Sequence, residues 1–237
     1  MRQRIFSGLL VGLLFTIYSP HLFGESPQNF AFEVKFGPYK PSIDSEFTTG
    51  THPYQDIFGS SSFFFFQLEL DWQFWQGVGN LGVGGSVGFG QDLGKALNPE
   101  TGDHTGDTTI FNMIPLNLAI IYRFDYLAQK WNIPLVPFVK LGLDYYIWWI
   151  LNNRGSVAEA EGRKGRGGTW GFHVNVGLNI LLDFLAPTMA KTFDNEIGVN
   201  HTYLFAEFLY ANVNNFGSSS SFNLGDITFM GGLALEF

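Results

Sequence analysis

The chain contains no cysteine. That excludes disulfides, thiolate metal sites and a lipoprotein anchor together. Charge is scarce: 14% of the 237 residues are charged, against roughly 25% in average soluble domains. Basic residues number 13 against 21 acidic, and the net charge of -8 argues against a nucleic-acid binder. Long apolar runs are missing too. Beyond the N-terminus no stretch of ~18 uninterrupted apolar residues occurs, which argues against helical membrane spans. What is abundant is hydrophobic residues at 46%, aromatics at 17%, and 29 glycines. Glycine suits turns and a narrow barrel interior, where small side chains must fit.

Residues 1–24 read as a secretory signal. Arg2 and Arg4 form a basic start, Ile5 to Ile17 an apolar stretch, and Gly24 a small residue before Glu25. The apolar stretch falls short of the ~20 residues a spanning helix needs, which argues against an uncleaved anchor. Losing two arginines leaves 11 basic against 21 acidic residues, a mature net charge of -10. Residues 25–237 then form a single exported domain.

The remaining sequence alternates with the period of β-strands. Phe64, Phe66, Leu68, Leu70, Trp72 and Phe74 interleave with Gln67, Glu69, Asp71 and Gln73. Similar segments are predicted near 30–37, 80–90, 109–125, 135–149, 169–182, 199–211 and 226–237. Strands of 9–11 residues or more suit a tilted bilayer crossing. Long polar links are expected near 38–61, 91–108, 150–168 and 212–222. Shorter ones fall near 76–79 and 126–134, and a medium one near 183–198, with a short helix around Pro187 to Phe193. Four outer loops and three inner turns give an all-β, eight-stranded antiparallel up-and-down transmembrane β-barrel. Ten strands is the second choice, if 38–61 hides a hairpin. A soluble lipocalin-type barrel would need a charged outer face. Here the non-greasy face is rich in Gly, Asn and Gln instead. Trp72, Phe74, Tyr122, Phe124 and Phe237 are expected at one rim, and Phe64, Tyr145, Trp149, Trp170 and Tyr210 at the other.

The last strand places Ile227, Phe229, Gly231, Leu233, Leu235 and Phe237 on one face. It resembles the terminal strand of bacterial outer-membrane barrels, whose final Phe is read by the barrel assembly machinery. The chain also resembles the OmpA transmembrane domain in size and strand plan. A closer likeness is to a myxobacterial-type family of small outer-membrane β-barrels. It rests on Phe36-Gly37-Pro38-Tyr39 with Pro41, Ile43 and Asp44; Pro53-Tyr54 with Phe58-Gly59; Leu68-Glu69-Leu70-Asp71; and Asn200-His201-Thr202-Tyr203-Leu204-Phe205 with Glu207. The resemblance implies a Gram-negative outer-membrane location and contact with outer-membrane lipids. It implies no activity.

The inward face is predicted to hold Glu33, Lys35, Glu69, Asp71, Arg123, Lys140, Asp144, His173, His201, Glu207 and Glu236. Eight strands enclose too little space for an open channel, and shielded charges must pair or keep water. A closed, salt-bridged core is the main expectation, with a structural or surface-interaction role, as a monomer. The alternatives are a narrow, porin-like solute or ion conduit, and a lipid A-modifying enzyme using His201 and Glu207. No adjacent same-face serine accompanies His201, and Ser86 is the one mid-strand inward serine, so no catalytic set is assigned. Gly77-Val78-Gly79-Asn80-Leu81-Gly82 matches a dinucleotide fingerprint, but a strand rather than a helix follows it. No cofactor is expected. Asp92, Glu100, Asp103 and Asp107 lack the spacing of a Ca²⁺ loop, and no metal is assigned. Asn200-His201-Thr202 fits a glycosylation sequon at a strand start and is discounted. Arg154, Arg163, Lys164 and Arg166 form a basic loop that could meet lipopolysaccharide phosphates.

Overall fold

The computed structural model describes residues 28–47, 50–98, 100–160, 162–218 and 221–237; the expected signal segment and its cleavage site lie outside them. The main strands are β1 (Phe30–Tyr39), β2 (Phe63–Gly77), β3 (Gly79–Leu97), β4 (His104–Arg123) and β5 (Leu135–Leu151). A small hairpin, β6 (Glu159–Ala160) and β7 (Arg163–Lys164), precedes β8 (Arg166–Leu181), β9 (His201–Asn212) and β10 (Ile227–Glu236). Eight strands close into one antiparallel barrel in the order β1-β10-β9-β8-β5-β4-β3-β2. Closure occurs where Ala31 to Phe36 pair with Glu236 to Gly231. Every barrel strand therefore has a neighbour on both sides, and among the described residues the barrel sheet has no free edge strand.

Side chains divide by alternation. Leu118, Val176 and Leu233, at 64%, 57% and 51% exposure, point away from the barrel axis. Glu33, Lys35, Asp71, Lys140 and Asp144 are buried within it. The apolar face is outside and the charged face inside. That is the reverse of a water-soluble barrel and suits a hydrocarbon surround. No described helix is long and apolar enough to cross a membrane, which says nothing of a β-barrel. Aromatic pairs brace the outer face, including Tyr145–Trp170 at 4.7 Å and Phe208–Phe229 at 5.2 Å between centroids.

Several boundaries differ from the sequence reading. The link at 91–108 is mostly strand: β3 runs to Leu97 and β4 starts at His104. Their outer ends carry polar residues and glycine in place of an apolar alternation, so the pattern does not mark them as strand. The link at 38–61 holds no hairpin. It folds as a 3-10 turn, Ile43–Glu46, and a helix α1, Pro53–Phe58. The extra hairpin is β6–β7, outside the barrel sheet. A helix α2, Tyr126–Trp131, was not foreseen; α3 runs Pro187–Ile197, longer than expected. A bulge at Phe74 shifts the β2–β3 register, so Phe74 and Trp75 are both exposed. The glycine-rich segment 77–82 begins in a tight turn, with Gly79 at φ 98, and continues as strand. Only glycine adopts that φ without strain.

Glycine also makes room inside. The register sets Gly84 opposite Asp71, Gly88 opposite Gln67, Gly142 opposite His173 and Gly177 opposite Phe138. These four large inward side chains thus each lie across a neighbour that has none. A Cβ at Gly142 would collide with the His173 ring and lie 2.8 Å from the Leu118 carbonyl oxygen. We expect Gly142→Ala to cost about 1–3 kcal/mol, as overpacking does. Gly106→Ala, with open space around it, should stay within about 0.5 kcal/mol. Urea unfolding of both variants in lipid vesicles checks this.

Candidate functional site

The lumen is filled in layers. At the end carrying the short turns, Glu236 accepts hydrogen bonds from Gln73 Nε2 at 2.6 Å and Tyr203 Oη at 2.8 Å. Val136, Phe138, Tyr203, Phe205 and Ala234 pack around them. Below β4, Asp125 accepts from Gln129 Nε2 at 2.7 Å. Burial, aided by the Glu236 carboxylate, pushes Asp125 up to about 6.

The middle of the barrel is a charge cluster. Lys140 Nζ lies 2.5 Å from both Glu33 Oε2 and Glu69 Oε1, and 3.8 Å from Glu207 Oε2. Lys35 Nζ lies 2.7 Å from Glu69 Oε2 and 3.2 Å from Glu207 Oε1. Arg123 donates to Glu33 Oε1 at 2.6 Å and to Asp71. Three cations meet four carboxylates, all nearly inaccessible to solvent. Oxygens of Glu33, Glu69 and Asp71 converge within 4.8 Å. Arg123, Lys140 and Lys35 already pair with these three carboxylates, so ion pairing accounts for the convergence.

A second polar chain lies above. Gln67 Nε2 donates to Ser86 Oγ at 2.9 Å and Asn117 Oδ1 at 2.7 Å. Asn117 donates to Asp144, whose Oδ1 lies 2.5 Å from His173 Nδ1. Asn175 donates to Glu207 Oε1 at 2.9 Å. A void of about 10 Å³ borders these groups. That is room for about one water.

Above this level the lumen turns apolar. Tyr39, Phe63, Phe65, Phe111, Met113 and Tyr146 form a buried plug with Leu209, Val213, Leu224 and Met230. The outer connections lock onto it. Tyr39 Oη donates to the Leu224 carbonyl at 2.8 Å. The Tyr54 ring of α1 meets Phe111 edge-on at 5.8 Å, and its hydroxyl donates to Asp92 Oδ2 at 2.6 Å. Burial and that bond raise the Tyr54 hydroxyl above its ordinary range. Asp44 accepts the amides of Tyr54 and Gln55 at 2.7 and 3.0 Å, which suits an anion at a helix start. Sequence reasoning did not find this plug. Inward aromatics such as Phe65 and Tyr146 look like any apolar residue until the faces are counted.

Over the plug a cavity of about 1150 Å³ opens, with Phe47, Trp148, Ile150 and Phe222 on its walls; Arg163, Lys164 and Arg166 line it too, together with Glu159, which lies opposite Lys164. Trp148 and Phe222 rings lie 5.1 Å apart. Arg154 is exposed on the turn that follows β5. Arg166 lies opposite Trp149 on β5 and lines a second groove with Ile147 and Val157.

Other sequence candidates are dispersed. His201 and Glu207 do not form a pair. His201 Nδ1 contacts Asp183 Oδ2 at 2.6 Å near the short-turn end, whereas Glu207 belongs to the charge cluster. Residues six apart on a strand are separated by about 20 Å. Asp92 and Asp107 are spread along β3 and β4 and engage Tyr54 and Asn153; Glu100 and Asp103 lie at the exposed tip. Phe237 stacks on Phe30 at 6.3 Å, and its backbone exchanges bonds of 2.7 and 2.8 Å with Phe30.

No protein-family model matches the sequence, and no curated protein matches it. Among solved structures the chain is similar to Neisserial surface protein A, with 12% identity and a TM-score of 0.47 over 90% of this chain and 99% of that one. It is also similar to Ail of Yersinia pestis in complex with the heparin analogue sucrose octasulfate, with 12% identity and a TM-score of 0.43 over 89% and 97%. The N-terminal β-barrel domain of Pseudomonas aeruginosa OprF gives 11%, 0.39, and 89% and 98%. Beside those likenesses, the strand order itself shows a closed, eight-stranded antiparallel barrel. Function must be argued from this chain's own side chains.

The cluster makes a sharp prediction. Lys140→Ala strands Glu33 and Glu69 in the lumen, and we expect a loss of about 3–5 kcal/mol. Lys164→Ala, at the exposed mouth, should stay within about 0.5 kcal/mol. The shift in urea midpoint in vesicles distinguishes the two.

Proposed function

We propose that this chain is a monomeric, non-enzymatic barrel of a Gram-negative outer membrane, with a sealed core and a surface-interaction role at its outer mouth. One exported domain, 25–237, carries it, released by cleavage near Gly24 and recognised by the barrel assembly machinery through Phe237. Kinship with the myxobacterial-type small barrels is part of this reading. Its motif residues supply the closure itself: Tyr39, Asp44 and Tyr54 tie down the mouth, while Glu69, Asp71 and Glu207 build the charge cluster.

The observation that carries the proposal is a lumen closed twice beneath an open, basic-rimmed vestibule. Ion pairs cross its middle, and the aromatic plug covers them. A solute would have to break desolvated charge pairs and then displace packed rings. The long connections at the vestibule end suit the outer leaflet, and the short turns suit the periplasm. Arg163, Lys164 and Arg166 then stand where phosphorylated lipid headgroups are dense. Arginine binds phosphate through paired donors, and the Trp149 ring beside Arg166 suits the interface. Lipopolysaccharide phosphates are the expected contact.

Planar-bilayer recording tests the closure. We expect no discrete conductance steps from the reconstituted barrel; reproducible single-channel steps would overturn the sealed core. Lipopolysaccharide binding tests the mouth. Arg163→Gln, Lys164→Gln and Arg166→Gln together should weaken binding roughly tenfold or more, the loss of at least one charge-assisted contact. Heat-modifiable gel mobility should remain that of the folded barrel. Unchanged affinity would remove lipopolysaccharide as the partner of this rim.

A further inference from the structure

The short-turn end carries an apolar surface that the barrel does not bury. In α3, Met189, Phe193 and Ile197 are 59%, 41% and 66% exposed. Spaced four apart, they share one helix face. Thr188, Lys191, Thr192 and Asn195 lie around the rest of the helix, and no α3 residue is buried. Phe184 and Leu185, just ahead of the helix, are exposed as well. A contiguous patch of this kind marks a contact surface.

Its position shows what it contacts. Backbone bonds tie both ends of the segment to the barrel rim: Leu182 N–H to the Thr202 carbonyl at 2.8 Å, and Asn200 N–H to the Glu236 carbonyl at 2.7 Å. The outward side chains of the adjoining strands, Leu178 and Ile180 on β8 and Leu204 on β9, belong to the lipid-facing band. The segment bearing the patch leaves and rejoins the barrel at the ends of the strands that carry this band. The other two short turns repeat the pattern: Trp75 and Val78 flank one, Trp131 and Ile133 the other, all exposed.

We infer that α3 lies in the lipid interface of the bilayer its own barrel spans, apolar face down, as part of an aromatic collar with Trp75 and Trp131. The occupant of the patch is the phospholipid of the leaflet on that side. Interfacial helices usually use basic residues to reach a membrane. Here Lys191 is outnumbered by Asp194 and Glu196. The barrel supplies the proximity instead, since a helix tethered at both ends needs little affinity of its own. The inference rests on the membrane reading of the barrel and adds a peripheral contact to it.

The absence of cysteine makes the test clean, because one introduced thiol is the only label site. Phe193→Cys, Ile197→Cys, Lys191→Cys and Leu118→Cys are labelled with nitrobenzoxadiazole in the full chain. Each is refolded into phosphatidylethanolamine–phosphatidylglycerol vesicles, with doxyl-lipid or aqueous iodide as quencher. Labels at 193 and 197 should be quenched by doxyl lipid severalfold more than the label at 191, and by iodide less. Equal iodide access at 191, 193 and 197, with the Leu118 label still quenched by lipid, would overturn the collar alone. A Leu118 label that lipid does not quench would overturn the membrane reading itself. Should either collar variant fail to fold, the other gives the same reading.

Discussion

Lys140 sits where the whole barrel comes together. Its ammonium bridges Glu33 on β1 and Glu69 on β2 and faces Glu207 on β9, while Arg123 on β4 and Lys35 on β1 complete the set. Five of the eight barrel strands supply charges to one enclosed volume. Burying such groups is costly, and their mutual attraction offsets the cost only when geometry and additional hydrogen bonds are good. The cluster is therefore better understood as a device for specificity than as a source of net stability. A slip of one residue on any contributing strand would turn its charges into the hydrocarbon. Lysine or arginine there costs about 2–4 kcal/mol each at the midplane, and the partners left behind would be uncompensated. The native register is the one in which each charge of the cluster touches at least one opposite charge.

That constraint dictates much of the remaining interior. A cluster of long side chains fits a narrow barrel only if the facing positions are empty, which is why glycine stands opposite Asp71, Gln67 and His173. Above the cluster the requirement reverses. The mouth must exclude bulk water from the ion pairs, and rings do this better than glycine. Tyr39 and Tyr146 serve both ends: their rings join the plug, and their hydroxyls lie 3.4 Å apart. The long first connection is drawn down onto the plug by Tyr54 and Asp44, and the last by the Leu224 carbonyl.

The sequence displayed the fold through its alternation, since lipid demands an apolar side chain at every second position. Strand number and the inward set around Glu69 and Lys140 were readable on that ground. The signal weakened wherever lipid stops. Gln91 to Lys95 looked like loop because outside the bilayer a strand need not alternate, yet it pairs as far as Leu97 with His104. The Phe74 bulge breaks the period for one residue and so was invisible to period counting. The plug was missed because Phe65, Phe111 and Tyr146 differ from lipid-facing residues only in phase. Which carboxylate pairs with which cation depends on barrel stagger, a property of closure that no single strand encodes. The His201–Glu207 pairing failed for the same reason: a shared face is not a shared height.

The middle of the barrel is filled, and its two rims are built from different materials. The vestibule end sets arginines and a lysine over aromatic walls, a surface for anions on an apolar body. The short-turn end sets bulky apolar groups on three connections and leaves only scattered charge. On the proposed function, the first rim meets lipid through phosphate and the second through acyl chains. The closed core then has a mechanical meaning. A lumen packed with paired charges and interlocked rings resists deformation, so the two rims hold a fixed separation and orientation across the membrane. On the proposed function, rigidity of that kind suits a barrel whose work lies in the contacts of its two rims.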